Sequence, residues 1–178
     1  MKILLNLMMI VFLFGCGYKP VSKVSDDILG DNVWVDVIMS KTDPQNTVAI
    51  KDSIREGIIK RLGKDLAQKD SSETAIVASI ASLTFNPIIY DQFGYATAYK
   101  ANLVVNFRVK FQNGEIRNLS TSGEYDFQVT KRVKNTRYTD SIISDKDRYE
   151  AIKNASSEAF GEFISKLAIE GFRNGKHN

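Results

Sequence analysis

Alternation of apolar and polar residues dominates the middle of this chain. Across residues 99–111, Tyr99, Ala101, Leu103, Val105, Phe107, Val109 and Phe111 alternate with Lys100, Asn102, Val104, Asn106, Arg108 and Lys110. Side chains of a strand project to opposite faces with a period of two, so this tract predicts a long strand, buried on one face and polar on the other. Asn113-Gly114 is a hairpin turn signal. Residues 117–129 then return with Leu119, Tyr125, Phe127 and Val129 on an apolar face. A two-residue loop would pair Val109 with Asn118 and Phe107 with Ser120, mixing apolar and polar side chains on one face. A three-residue loop, with Gly114 in a bulge, pairs Val109 with Arg117 and Phe107 with Leu119. It restores a common apolar face, so the bulged hairpin is predicted.

The flanking segments read in the same way. Residues 33–39 alternate, with Val33, Val35, Val37 and Met39 on one side and Asp36 on the other, as a half-buried strand does. Asp43-Pro44 marks a turn. Residues 47–67 are helical in pattern, with Ile50, Ile54, Ile58, Leu62 and Leu66 every four positions and Ile59 widening the stripe; Lys51, Asp52, Arg55, Lys60 and Lys64 fall off it. Gly57 and Gly63 weaken that helix by about 1 kcal/mol each relative to Ala, and Gly57 is read as a point of close packing. Residues 74–85 could be spaced as a helix through Ile76, Ile80 and Leu83. A central strand is preferred, because such strands are apolar on both faces. Asn86-Pro87 is expected to end or bend it. Ser144 and Asp145 are candidate caps for a last helix. Its stripe is Tyr149, Ile152, Ser156, Ala159, Phe160, Phe163 and Leu167, and Gly171 is expected to stop it.

The order is strand, helix, strand, strand, strand, helix. Two helices, each with one apolar stripe, can cover one face of a four-stranded mixed sheet, giving an α+β two-layer sandwich. The other face would then carry Lys100, Asn102, Asn106, Arg108, Asn118, Ser120, Ser122 and Glu124.

The first residues change the picture. Lys2, an apolar stretch over 3–14 broken only by Asn6, and Leu13-Phe14-Gly15-Cys16 have the parts of a secretory signal. They resemble the lipobox of bacterial lipoproteins, in which the cysteine is diacylated and becomes the new N-terminus; Phe14 stands where a smaller residue is usual. The apolar run is shorter than the roughly 20 residues a spanning helix needs. Cys16 is the only cysteine, so a disulfide within one copy is impossible and a cysteine-based metal site has too few ligands. The expected organisation is a signal peptide over 1–15, a lipidated tether over 16–32, one domain over 33–172 and a tail over 173–178. Lys2 is the only charge lost with the signal, so the 24 basic residues become 23 against 21 acidic, near balance and without a nucleic-acid footprint.

Candidate chemistry is sparse. His177, the sole histidine, is second from the end, which argues against a Ser-His-Asp triad. No metal-ligand or phosphate-loop motif is present, and no cofactor is implied. The segment 131–137, with Lys131, Arg132, Lys134 and Arg137, reads either as a solvated loop or as a contact for the phosphates of an anionic glycolipid. Tyr90, Phe93, Tyr95 and Tyr99 flank Gly94, either as a binding loop or as the closing end of the core.

Cys16-Gly17-Tyr18-Lys19-Pro20, the element order, and the tract Gly94-Tyr95-Ala96-Thr97-Ala98-Tyr99 leading into the long strand resemble the lipopolysaccharide-assembly lipoproteins, the LptE family. The resemblance spans nearly the whole mature domain. It implies a lipid-anchored, periplasm-facing protein of the outer membrane that plugs a large LptD-like β-barrel, assists its assembly and binds lipopolysaccharide. It also implies that Lys146, just before the last helix and followed by Asp147, contacts the glycolipid. Gln92 departs from the basic residue that relatives carry near the hairpin glycine, and Lys100 or the Lys131–Arg132 pair could compensate. Gly17 after the lipid cysteine lacks the aspartate that retains some lipoproteins at the inner membrane. The competing readings are a lipoprotein that binds another envelope partner and, with less support from the residues, a lipid-anchored hydrolase.

Overall fold

The computed structural model describes residues 29–39, 44–129, 132–135, 138–141 and 143–174. β1 (Asn32–Val37) leads into α1 (Pro44–Gly57), which is extended by one π-type turn over 58–62. The chain returns through β2 (Asp65–Leu66) into β3 (Thr74–Tyr90). β4 (Ala96–Lys110), β5 (Ile116–Gln128), a ribbon of β6 (Arg132–Asn135) and β7 (Tyr138–Ser141), and α2 (Asp145–Asn174) follow. The main sheet has the order β2-β1-β3-β4-β5. β1 pairs in parallel with β2 and β3, and the rest is antiparallel. The expected sandwich therefore stands, with a fifth, two-residue strand at its edge and a small ribbon in place of a loop over the basic segment.

Both helices pack on one sheet face. Ile50, Ile54, Ile58 and Leu62 of α1 and its extension are buried with Ile152, Phe160, Phe163 and Leu167 of α2. Phe107 of β4 stacks on Phe163 with 4.4 Å between ring centres. The bulged hairpin is present as expected. Val109 faces Arg117, Phe107 faces Leu119, and Gly114 has φ +82°.

Several boundaries differ from the sequence reading. The first helical segment stops at Leu62 rather than at residue 67, because Gly63 adopts φ +64° and caps it. Leu66, next in the four-residue spacing, is half-buried in β2 instead. Lys64 is buried, with Nζ 3.4 Å from Asp31. Ile59 is 54% exposed, off the stripe that Ile58 and Leu62 bury. Gly57 is a close-packing point, where an added Cβ would meet the ring of Phe160.

The tract 74–85 is a strand, not a helix, and it continues through Pro87 to Tyr90 with irregular pairing near Ile80 and Pro87. Pro87 is tolerated because β1 covers β3 only as far as Ala78, leaving that edge without a ladder partner for a missing N–H. Met39, expected on the buried side, is 66% exposed beyond the end of β1. The last helix passes Gly171 and runs to Asn174.

Candidate functional site

Leu29 is buried in the core, and its carbonyl accepts a 2.6 Å bond from the Thr74 hydroxyl. The Asp31 N–H donates to Glu73 at 2.6 Å. The described chain thus begins beside the start of β3. Cys16 itself lies outside the described residues, as does Lys131.

The end of the sheet away from Leu29 carries the β3–β4 turn and the start of α2. Asp91 organises the turn: its Oδ1 accepts the Phe93 and Tyr95 N–H groups at 2.9 and 3.0 Å, and Gly94 takes φ +82°. The flanking aromatics divide. Tyr90 and Phe93 are exposed, whereas Tyr99 stacks on Phe127 with 6.1 Å between ring centres. Ser144 is the helix cap; its hydroxyl receives the Asp147 N–H at 3.2 Å and bonds the Asp147 carboxylate at 2.7 Å. Arg148 sits 5.0 Å from the Phe85 ring, which brings this helix start to the β3–β4 end. Lys146 there is 80% exposed, and among the described residues its one ion-pair partner is Glu150 at 3.9 Å.

The remaining sequence candidates do not converge on Lys146. Arg132 lies in the β6–β7 ribbon, where only the backbone is described. Lys100 is on the open face of the sheet, the side away from the helices. It bonds Glu124 at 2.8 Å and lies 3.8 Å from Asp126. The hydrogen bond to Glu124, then the charge of Asp126, raises its pKa. With two carboxylates of its own, Lys100 is a poor substitute for a missing phosphate ligand. Among the described residues no group of side chains could hold a metal ion.

One feature of the open face escaped sequence reasoning. Near the Leu29 end, Trp34, Ala75, Lys110 and Ile116 form one row across four strands, and Asp36, Val77, Arg108 and Asn118 form the next. Small side chains on β3 lie between larger ones on β1, β4 and β5. The result is a trough of about 690 Å³, with Lys69 at its rim. The rows exist only once the parallel β1–β3 register is known, and alternation within single strands does not supply it.

The LptE family, described as Lipopolysaccharide-assembly, matches the chain over residues 32–167. A candidate lipoprotein of Caulobacter crescentus CB15 superposes with a TM-score of 0.54 at 12% identity, over 90% of this chain and 99% of that one. The rare lipoprotein B of Shewanella oneidensis gives 0.45 at 13% identity, over 81% and 99%. A minor lipoprotein of Acinetobacter baumannii gives 0.40 at 11%, over 79% and 92%. At these identities the first likeness bears on the fold alone. No curated protein matches the chain by sequence at a significant level.

Proposed function

The chain belongs to the LptE lipopolysaccharide-assembly family, and on that premise we propose that it is a lipid-anchored subunit of the outer membrane. In this reading it plugs the lipopolysaccharide-translocating β-barrel, an LptD-like partner, assists assembly of that barrel and contacts lipopolysaccharide on its way to the outer leaflet. The family match over 32–167, which takes in both layers of the sandwich, carries the proposal. Cys16, freed by removal of 1–15, bears the lipid; two acyl chains hold a protein firmly where one is marginal. The tether leads to a domain facing the periplasm, and the role is binding rather than catalysis. Among the described residues no helix is long and apolar enough to cross a membrane.

The open sheet face supports a place inside a barrel, because the lumen of a large outer-membrane barrel is polar. Asn102, Asn106, Arg108, Asn118 and Ser120 present amides, hydroxyls and charge there. Lys146 is the glycolipid contact, with Lys131 and Arg132 as further cations, while Lys100, already paired with Glu124 and Asp126, takes no part in it.

Detergent extraction of outer membranes with a tagged full-length chain tests the plug. Co-purification of a large β-barrel in equal amount is the expected result. A monomer without any barrel overturns the plug and returns the chain to a binding module for another envelope partner. Lys146→Glu and Lys131→Glu should each weaken lipopolysaccharide binding, and unchanged binding removes the glycolipid contact from the proposal.

A further inference from the structure

The trough on the open face has the make-up of a ligand site. Binding pockets typically enclose about 300–1,000 Å³ and are lined mostly by apolar groups with a few placed polar ones. Here Ala75 and Val77 form the floor, with Trp34 on one wall and Ile116 on the other, around about 690 Å³. Arg108 and Lys110, two residues apart on one face of β4, stand beside that floor. Lys69 lies 5.4 Å from the Trp34 ring on the far side.

The charges there are not balanced as they are elsewhere on the same face. Lys100, at the other end, faces Glu124 and Asp126 across the strand pair, the compensation that solvated cross-strand neighbours normally show. Among the described residues Arg108 and Lys110 have no carboxylate partner, and Lys69 meets the Trp34 ring. Asp36, in the same rows, is held by Lys51 at 2.9 Å and also feels the charge of Lys69. Arg108 and Lys110 beside an apolar trough are completed by a ligand with an anionic head and an apolar body. A carboxylate or phosphate would take charge-assisted bonds from Arg108 and Lys110, while an acyl chain lay along Ala75, Val77 and Trp34.

We propose that this trough binds an anionic amphiphile, either a fatty acid or the phosphate and acyl portion of an anionic phospholipid. The site lies on the opposite face from the helix-start Lys146. It does not depend on the barrel reading, and barrel co-purification and trough binding can fail separately.

Trp34 is the only tryptophan in the chain, so its fluorescence reports from the trough. Full-length protein in non-ionic detergent is titrated with brominated stearic acid, brominated phosphatidylglycerol and, as the zwitterionic control, brominated phosphatidylcholine. Bromine on the acyl chain quenches a touching indole. Saturable quenching by one or both anionic probes is expected, and the tighter one identifies the head as carboxylate or phosphate. Arg108→Glu and Lys110→Glu should raise the dissociation constant about tenfold or more, with Lys100→Glu leaving it unchanged. Circular dichroism checks cooperative unfolding of each variant; Arg108→Gln and Lys110→Gln replace any reversal that does not fold. No saturable quenching, equal quenching by phosphatidylcholine, or a loss in Lys100→Glu as large as in Arg108→Glu overturns the proposal.

Discussion

The two faces of the central sheet are built from the same strands under opposite constraints. On the covered face, Phe107 packs against both Phe160 and Phe163, which also stack on each other, and Val105 and Val109 are fully enclosed. On the open face, one residue away in each case, Asn106, Arg108 and Lys110 are exposed. Volume decides what the covered face accepts. Charge and ligand contact decide what the open face does. Neighbouring substitutions on β4 should therefore differ by several kcal/mol, a large share of the stability of a domain. Phe107→Ala is expected to destabilise by about 3–5 kcal/mol, as deletion of a buried aromatic does. Arg108→Ala should stay within about 0.5 kcal/mol, as a surface change away from packing does. Chemical denaturation of both checks this, and a gap under about 1 kcal/mol would erase the contrast.

Gly123 sharpens the comparison from the other hairpin strand. It lies on the covered face, opposite Leu103, and an added Cβ would fall on the Ala155 carbonyl and the Ala159 nitrogen of α2. Backbone, not a flexible side chain, stands in the way, so α2 must shift. Gly123→Ala should destabilise by about 1–3 kcal/mol, the range for overpacking. Ser122→Ala, next to it on the open face, should fall well below that in the same thermal melts.

The covered face was the more legible of the two in the sequence, because a period of two or four is a local signal. The hairpin register followed from asking which loop kept Phe107 and Leu119 on one side, and Gly57 was readable as a crossing point. The misreadings share a cause. Leu66 continued the spacing of Leu62, but the left-handed Gly63 between them ended the helix. Asn86-Pro87 was expected to end or bend the strand; β3 runs on past it with a register shift, because β1 leaves that edge at Ala78. The trough was out of reach for a related reason. Trp34 comes to lie beside Ala75 through a parallel pairing closed across a helix, which no local pattern encodes. Among the proposed glycolipid contacts, Lys146 is exposed as its role needs, whereas Lys100 was counted as a cation before its two carboxylates could be seen.

A smaller effect belongs to the rim where the two faces meet. β5 is an edge strand of the main sheet, and its outer backbone groups are met by side chains of α2. Glu162 accepts the Ser122 N–H at 2.6 Å, Glu158 accepts the Glu124 N–H at 2.8 Å, and Lys166 donates to the Ser120 carbonyl at 2.7 Å. This covers an edge that would otherwise template pairing with another chain. The Ser122 N–H, then Lys166, holds the Glu162 carboxyl below its ordinary pKa. A depressed carboxylate contributes stability above its unfolded pKa and loses it as pH falls through the folded value. Glu162→Gln should therefore destabilise by about 1 kcal/mol at neutral pH, a figure reduced for the solvent that still reaches this side chain. The difference from the parent should close in acid. A difference that persisted below the folded pKa would mean that packing, not charge, seals the edge.

The smallest effect is expected at Lys100, and its smallness is informative. Glu124 and Asp126 raise the lysine pKa, so the stabilising charge is fully present below the ordinary lysine value and is lost only as pH rises through the higher folded one. Neutral pH lies far below that window, so any contribution there is constant and, at an exposed pair, small and screened by salt. Lys100→Ala should shift the melting temperature no more than other surface substitutions do, and moderate salt should abolish even that shift. Trp34 quenching by an anionic lipid should be unchanged in the same variant, while Arg108→Ala weakens it without loss of stability. If Lys100→Ala instead weakened lipid binding to the same degree, the open face would act as one diffuse basic surface. Its two ends would then lose the distinction drawn between a self-paired cluster and a trough whose cations await an anion.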